Sequence, residues 1–412
     1  MAKAAADLDV AIQWCYATPT DVLHSVEFSS VTNFRVSSDF CYGQSWDIGV
    51  SSLLVAALGK HPSKDTLWST DNDHLIVPGC DWTADHEKIA AELHVVLALF
   101  STGPVGISDM VNMTDFSLLS RIVALDGTLL APERPATAVD STFMLPSPLK
   151  GGGYVYQSCG VEDRSHVFIS FKMEEAFEVP WSDFYPRIDG IGGGRNASHV
   201  IYQHYGFSSR CENNTWAIRD GCVVLAEISA SPPSSSLSTT STTTTTSSHV
   251  VLPKSSFANV TGGSDLRPIV TTVWTIDGGE DGWLLLGELS KYMSLSPRRF
   301  ANITTIAAPA AVQIESRNND SEGFTRSASA FSGIRTYLSL AVRGTVGEHV
   351  RVTALKAVSA AAGSGEFSAP SSASMSTTSR KESLPASPPL DWKVVVKDVV
   401  IGPSGQDTVV FQ

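Results

Sequence analysis

The chain has 412 residues, of which 42% are hydrophobic and 17% charged, a composition that builds a core and excludes a disordered protein. Lys+Arg 29 against Asp+Glu 42 leaves a net charge of −13, which sets aside nucleic acid and anionic membrane as main partners. The longest apolar run, Val95–Phe100, is far shorter than the roughly 18–20 residues of a membrane span, so no span is expected.

Met1 to Val10 lacks the apolar stretch of a signal peptide. Six of the ten asparagines nevertheless begin N-x-S/T: Asn112, Asn196, Asn213, Asn259, Asn302 and Asn319. Chance supplies roughly two in a chain this rich in Ser and Thr, so the sequons favour the secretory pathway and a leader absent from this chain. The six cysteines show no C-x-x-C spacing, which argues against a zinc site and a disulfide framework, although Cys211 and Cys222 could form one local bridge.

Residues 1–138 alternate strand and helix patterns. Val10–Ala17, Val31–Ser37, Leu75–Val77 and Val105–Ile107 read as strands, with helical spacing over Ile48–Leu58 and Asp85–Phe100 between them. Such repeats imply a parallel sheet, open or closed into a barrel. Over 139–412 the runs become short, β-branched and aromatic: Phe143–Pro146, Tyr154–Ser158, His166–Phe171, His199–Tyr205, Thr215–Ile218 and Val223–Ile228. They continue at Ile269–Ile276, Trp283–Leu286, Thr336–Val342, Val350–Leu355, Trp392–Val400 and Thr408–Phe411, predicting an antiparallel β-sandwich. Two low-complexity inserts, 231–248 and 359–389, have too little apolar surface to join that core.

No G-x-S-x-G elbow, P-loop, H-E-x-x-H or dinucleotide fingerprint occurs, so no cofactor and no metal are expected. The glycine clusters 151–153 and 190–194 read as turns, and Asp71, Asn72 and Asp73 lack the pattern of a calcium loop. His86 and His94, eight apart on one helix, read as structural histidines. Carboxylates just past predicted strands remain: Asp39, Asp81 and Asp109, with Trp46 and Trp82 nearby. At the carboxyl ends of barrel strands such residues face an active-site mouth. There, carboxylates bind sugar hydroxyls while indoles cover the apolar sugar face.

Three blocks carry a family resemblance. Arg35-Val36-Ser37-Ser38-Asp39-Phe40 is similar to an R-x-S-D-D-F motif. Ala90-Ala91-Glu92-Leu93-His94, followed by Thr102 to Asp109, is similar to A-A-E-Y-H…G-G-x-I-Y-V-S-D. Asp115-Phe116-Ser117-Leu118-Leu119, Asp126-Gly127 and Glu133 to Asp140 resemble N-F-x-L-L…D-G…G-R-P-T-x-D. Together they resemble the raffinose synthase and alkaline α-galactosidase family, within the α-galactosidase clan of glycoside hydrolases. The resemblance implies the C-terminal half of a (β/α)8 barrel over 1–138, about four βα units, followed by a β-sandwich. It implies an α-galactoside as partner and a retaining double displacement by two carboxyls.

By the same resemblance Asp39 is the acid/base residue, and Arg35, Trp46, Asp81, Trp82 and Asp109 contact substrate. The family's nucleophile lies on a strand with no counterpart before Val10, and Ser38 replaces the first Asp of its S-D-D-F. The chain alone is therefore expected to be inactive. A non-catalytic carbohydrate-binding or interaction protein derived from that family is the competing expectation. An unrelated protein joining an α/β part to a sandwich is the third.

Overall fold

The structure is a computed structural model that describes residues 1–15, 17–38, 48–70, 90–140, 142, 153–173, 177–180, 197–204, 216–218, 221–228, 249–252, 268–276, 282–309, 334–358 and 391–411. Over 177–252 and at some strand ends it describes the backbone alone. The expected strands Leu75–Val77 and Phe143–Pro146, the glycine cluster 190–194, residues Asp71 to Asp73, His86 and both low-complexity inserts lie outside these residues. The protein is mixed α/β, with mostly antiparallel sheets and few helices.

The first part runs α1 (Ala2–Asp7), β1 (Ile12–Trp14), α2 (Pro19–His24), β2 (Val31–Arg35), α3 (Gly49–Ala57), β3 (His61–Ser63), α4 (Ala91–Phe100) and α5 (Phe116–Leu119). Strands β1, β2 and β3 pair in parallel in that order. Beyond that three-stranded sheet, a single isolated parallel bridge joins Leu67 to Ile107.

Local chemistry sets the helix ends. At α2, Thr18 accepts the Asp21 amide while the Asp21 carboxylate accepts the Thr18 amide, a reciprocal cap with Pro19 in the first turn. Helix α3 stops where Gly59 turns left-handed at φ 68°. The Gly59 and Lys60 amides there close on the Ala56 and Val55 carbonyls. Helix α4 is apolar apart from Glu92 and His94 and buried at every residue but Glu92, as a central helix must be. Gly103, just after it, passes so close to β3 that a Cβ would strike the Pro62 carbonyl.

From β4 (Thr137–Ala138) onward every strand pairing is antiparallel among the described residues. The strands continue as β5 (Tyr154–Cys159), β6 (His166–Phe171), β7 (Phe177–Pro180), β8 (Ala197–His204), β9 (Trp216–Ile218), β10 (Gly221–Ile228), β11 (His249–Leu252) and β12 (Ile269–Ile276). β13 (Trp283–Gly287), β14 (Phe300–Pro309), β15 (Ile334–Arg343), β16 (His349–Val358), β17 (Asp391–Val400) and β18 (Gln406–Phe411) complete the chain.

A seven-stranded sheet has the order β4-β5-β6-β12-β8-β10-β9, and β7 pairs with β11. Two three-stranded sheets, β13-β16-β17 and β14-β15-β18, meet where the Trp283 ring lies 5.8 Å from that of Phe411. The Trp283 indole donates to the Thr336 carbonyl at 3.0 Å across the same contact.

One core joins the parts. Leu93, Val96, Leu97 and Phe100 of α4 belong to the same cluster as Phe171, Trp274, Leu340 and Phe411. A smaller cluster of Val22, Val31, Phe34 and Val55 packs α2 and α3 on the parallel sheet, with Trp14 edge-on to Phe34 at 5.6 Å.

Polar groups lock the same junction. The Tyr292 hydroxyl donates to Glu92 of α4 at 2.5 Å, and Arg121 donates to Tyr292 at 3.1 Å while lying over its ring. Lys291 donates to the Ser120 and Val123 carbonyls at 2.6 and 2.8 Å. Behind them Arg299, only 1% exposed, grips Glu348 with two nitrogens at 3.0 and 2.6 Å and Glu288 with a third at 2.9 Å.

Candidate functional site

The parallel strands all run the same way, so the residues just after them gather at one end of the sheet. β2 ends on Arg35, Asp65 lies two residues beyond β3, and Ser69 and Asp109 each lie two residues beyond the Leu67–Ile107 bridge. Arg35 and Asp65 thus mark the carboxyl end of the sheet, and Ser69 and Asp109 flank the bridge beyond it; together they are called the rim.

The ladder continues into it. The Val36 amide donates to the Ser63 carbonyl at 2.9 Å, and the Asp65 amide donates to Ser37 Oγ at 2.9 Å. These two bonds seat the Asp65 carboxylate 3.5 Å from an Arg35 nitrogen, with both side chains largely out of solvent. On the neighbouring crossing, the Leu67 amide donates to Gly106 O at 3.0 Å and the Ser108 amide to Leu67 O at 2.9 Å. That register sets Asp109 opposite Ser69. Its carboxylate accepts the Ser69 amide at 2.7 Å and the Ser69 hydroxyl at 2.6 Å, and the Asp115 amide closes on Ser69 Oγ at 2.7 Å. Asp115 in turn caps α5 through the Ser117 and Leu118 amides. Each Asp109 oxygen keeps a lone pair beyond these bonds.

Two buried basic side chains stand close to these residues in the chain and the core. Lys64, 4% exposed, has its ammonium pushed down to about 7 by burial, with the Arg35 charge adding to the effect and Asp65 opposing it. His94 of α4, also 4% exposed, is held well below the ordinary histidine value by burial and by Lys64. The neutral imidazole is thus the form the fold accepts.

Of the residues predicted from sequence, Arg35 ends β2 beside Asp65, and Asp109 lies beyond the isolated Leu67–Ile107 bridge. Asp39, Trp46, Asp81 and Trp82 lie outside the described residues. The strand next to β2 on the side away from β1 is β3, and its following acid is Asp65. Lys64, Asp65 and Ser69 were not legible as site residues, because His61-Pro62-Ser63 lacks the branched and aromatic side chains that mark a strand. The signal that could have found them is Asp65 standing between a helix-stopping Gly59 and the apolar Leu67-Trp68. Trp68 is itself buried, so it offers little surface to a sugar.

A groove of about 1200 Å³ opens elsewhere, lined by Asn33, His61, Val105, Phe116, Leu125 and His349 among others. It starts at His61, the first residue of β3, whereas the rim lies beyond its last. Lys291 and Glu348, which also line the groove, are committed to the bonds described above. Ile107, two residues before Asp109, lines the groove as well, so the groove runs up to the Leu67–Ile107 bridge. Among the described residues no group of three metal-ligating side chains converges, and no helix is long and apolar enough to cross a membrane.

No protein-family profile and no curated protein matches the chain.

Proposed function

We propose that this is a carbohydrate-active protein of the retaining glycosidase type. Its rim would bind a glycoside through strand-end carboxylates. Within that class the three sequence blocks point to the raffinose synthase and alkaline α-galactosidase family, and to an α-galactoside as ligand. On this reading residues 1–138 are about four βα units of a (β/α)8 barrel, and the three-stranded sheet pair belongs to the sandwich that follows it.

The observation that carries the reading is that Arg35 and Asp65 pair just past the successive parallel strands β2 and β3, and that Asp109 is held by Ser69 just past the parallel Leu67–Ile107 bridge. A sugar presents several hydroxyls over a small area, and carboxylates fixed by neighbouring amides meet them without losing much side-chain freedom. Arg35 would orient Asp65, and Ser69 would orient Asp109.

Asp39, four residues beyond Arg35, would act as the acid/base. It would protonate the leaving oxygen and then take the proton from the incoming water or sugar hydroxyl. The nucleophile carboxylate would come from a barrel strand that this sequence does not match. A second reading, non-catalytic sugar binding, is favoured by one observation: Ser38 stands where the family motif has an Asp.

A leaving-group comparison tests the proposal. The 412-residue chain by itself should show no turnover, because no glycosyl-enzyme can form without the nucleophile. In a form carrying four further βα units, Asp39→Asn should lose about 10²–10⁴ in rate on substrates with poor leaving groups. Activated aryl galactosides, which need little protonation, should lose far less. Equal losses on both substrates would remove Asp39 from the acid role, and turnover by the chain alone would remove the missing-nucleophile argument.

A further inference from the structure

Strand β14 is the edge of its sheet, pairing only with β15 among the described residues. A ten-residue edge exposes a row of unpaired amides and carbonyls, and natural proteins shield such edges against self-association. Here the register against β15 slips between Ala301 and Thr304, inserting one extra residue opposite Leu340. The bulge buries Ile303, whose carbonyl accepts Arg164 at 3.1 Å, and turns Asn302 outward at φ 51°. A left-handed backbone is tolerated by asparagine better than by most residues. Thr304, two residues on, is exposed as well, and beyond it Ile306 is an exposed aliphatic side chain on the same strand.

Asn302-Ile303-Thr304 is also one of the six N-x-S/T sequons. An acceptor asparagine must be reachable, with the hydroxyl of its +2 residue reachable beside it, and both hold here. Asn112, the other sequon asparagine among the described residues, is likewise exposed and left-handed at φ 70°. It lies three residues past Asp109, at the rim, where a bulky glycan would crowd any ligand. Asn302 is in β14, among the antiparallel sheets and remote from the rim in the fold.

We propose that Asn302 is a site of N-glycosylation and that its glycan covers the open edge of β14. The donor is a lipid-linked diphospho-oligosaccharide. The Asn302 amide nitrogen bonds to the anomeric carbon, the carbon–oxygen bond to the diphosphate breaks, the lipid diphosphate leaves, and the nitrogen gives up one proton. The proposal is independent of the sugar-binding reading, since neither Asn302 nor β14 contributes to the rim.

The test uses the full chain isolated from the cells that make it. Glycan release by a peptide amidase in heavy-oxygen water should convert Asn302 to a labelled aspartate, read by peptide mass spectrometry. Asn302→Gln and Thr304→Ala should each lose one glycan step in gel mobility, whereas Thr304→Ser should keep it. Recovery of Asn302 as plain asparagine from the folded protein would overturn the site, and that readout needs no variant to fold. Enzymatic trimming of the native protein should also raise its self-association in light scattering. Unchanged dispersity after trimming would overturn the edge-covering role.

Discussion

Replacing Arg299 with methionine should cost about 3–5 kcal/mol of folding stability, because it strands two buried carboxylates at once. Glu288 and Glu348 are 5% and 7% exposed and converge on this guanidinium from either side. Burial already pushes the Glu288 carboxyl up, and the charges of Arg299 and Lys291 hold it in check. Burial acts on Glu348 too, but the Arg299 hydrogen bonds and the Thr345 and Leu125 amides outweigh it and hold that carboxyl below its ordinary range. The Leu125 contact belongs to the segment that follows α5, so the cluster fastens the α/β part to the later sheets. Urea unfolding at neutral pH reads the loss directly. Pairing Arg299→Met with Glu288→Gln should recover part of it, since one unpaired charge is removed. A loss below about 1 kcal/mol for the single variant would show the cluster to be a spectator.

Lys64→Met should stabilise the protein at neutral pH and flatten its response to alkali. In the folded chain the ammonium releases its proton near 7, whereas an ordinary lysine holds it to 10.5. Between those values the unfolded chain binds the extra proton, so stability rises with pH across that window. Below pH 7 both states are charged and the burial cost is constant. Full expression of the difference is about 4–5 kcal/mol, and water reaching the site would reduce it. His94 adds a second slope at lower pH. Its folded value lies well below 6.5, so the unfolded chain gains the proton first and stability falls as pH drops through 6.5. Unfolding midpoints from pH 5 to 10 should therefore rise in two stages in the parent chain. Only the lower stage should remain in Lys64→Met, and parallel curves for the two proteins would contradict this account.

How far the fold was legible depended on side-chain type. Ile269–Ile276 was readable from sequence with the bounds that β12 has, because branched residues fill it and Asp277-Gly278 ends it. Helix α3 was readable from the helical spacing of its apolar residues. The residues it buries are nevertheless Gly49, Ser52 and Val55, and not the Leu53, Leu54, Ala57 and Leu58 face that the spacing suggests. β14 was not, since Ala301 to Pro309 alternates poorly and carries a bulge that reverses the pattern midway. β3 escaped for the opposite reason: the ladder to β2, and not propensity, makes His61-Pro62-Ser63 a strand.

The site followed the same division. Arg35 was named through the motif resemblance and is the last residue of β2. Asp109 was named from an expected strand, Val105–Ile107, that the structure reduces to a single bridge at Ile107. Ser69 meets Asp109 from 40 positions away, a contact that only the Leu67–Ile107 bridge creates. Lys64 and His94 are coupled by burial between β3 and α4, and nothing local in either segment announces that coupling.

The central claim is that the carboxyl ends of the parallel strands form a sugar site. Calorimetric titration of the 412-residue chain with an α-galactoside such as raffinose tests it most directly. The account predicts saturable binding that is lost in Asp109→Asn while the unfolding midpoint of the variant stays near that of the parent. Asp39→Asn should largely keep the binding, because the role of Asp39 is proton transfer. Binding that survives undiminished in Asp109→Asn, or no binding of the α-galactoside by the folded parent chain, would contradict it.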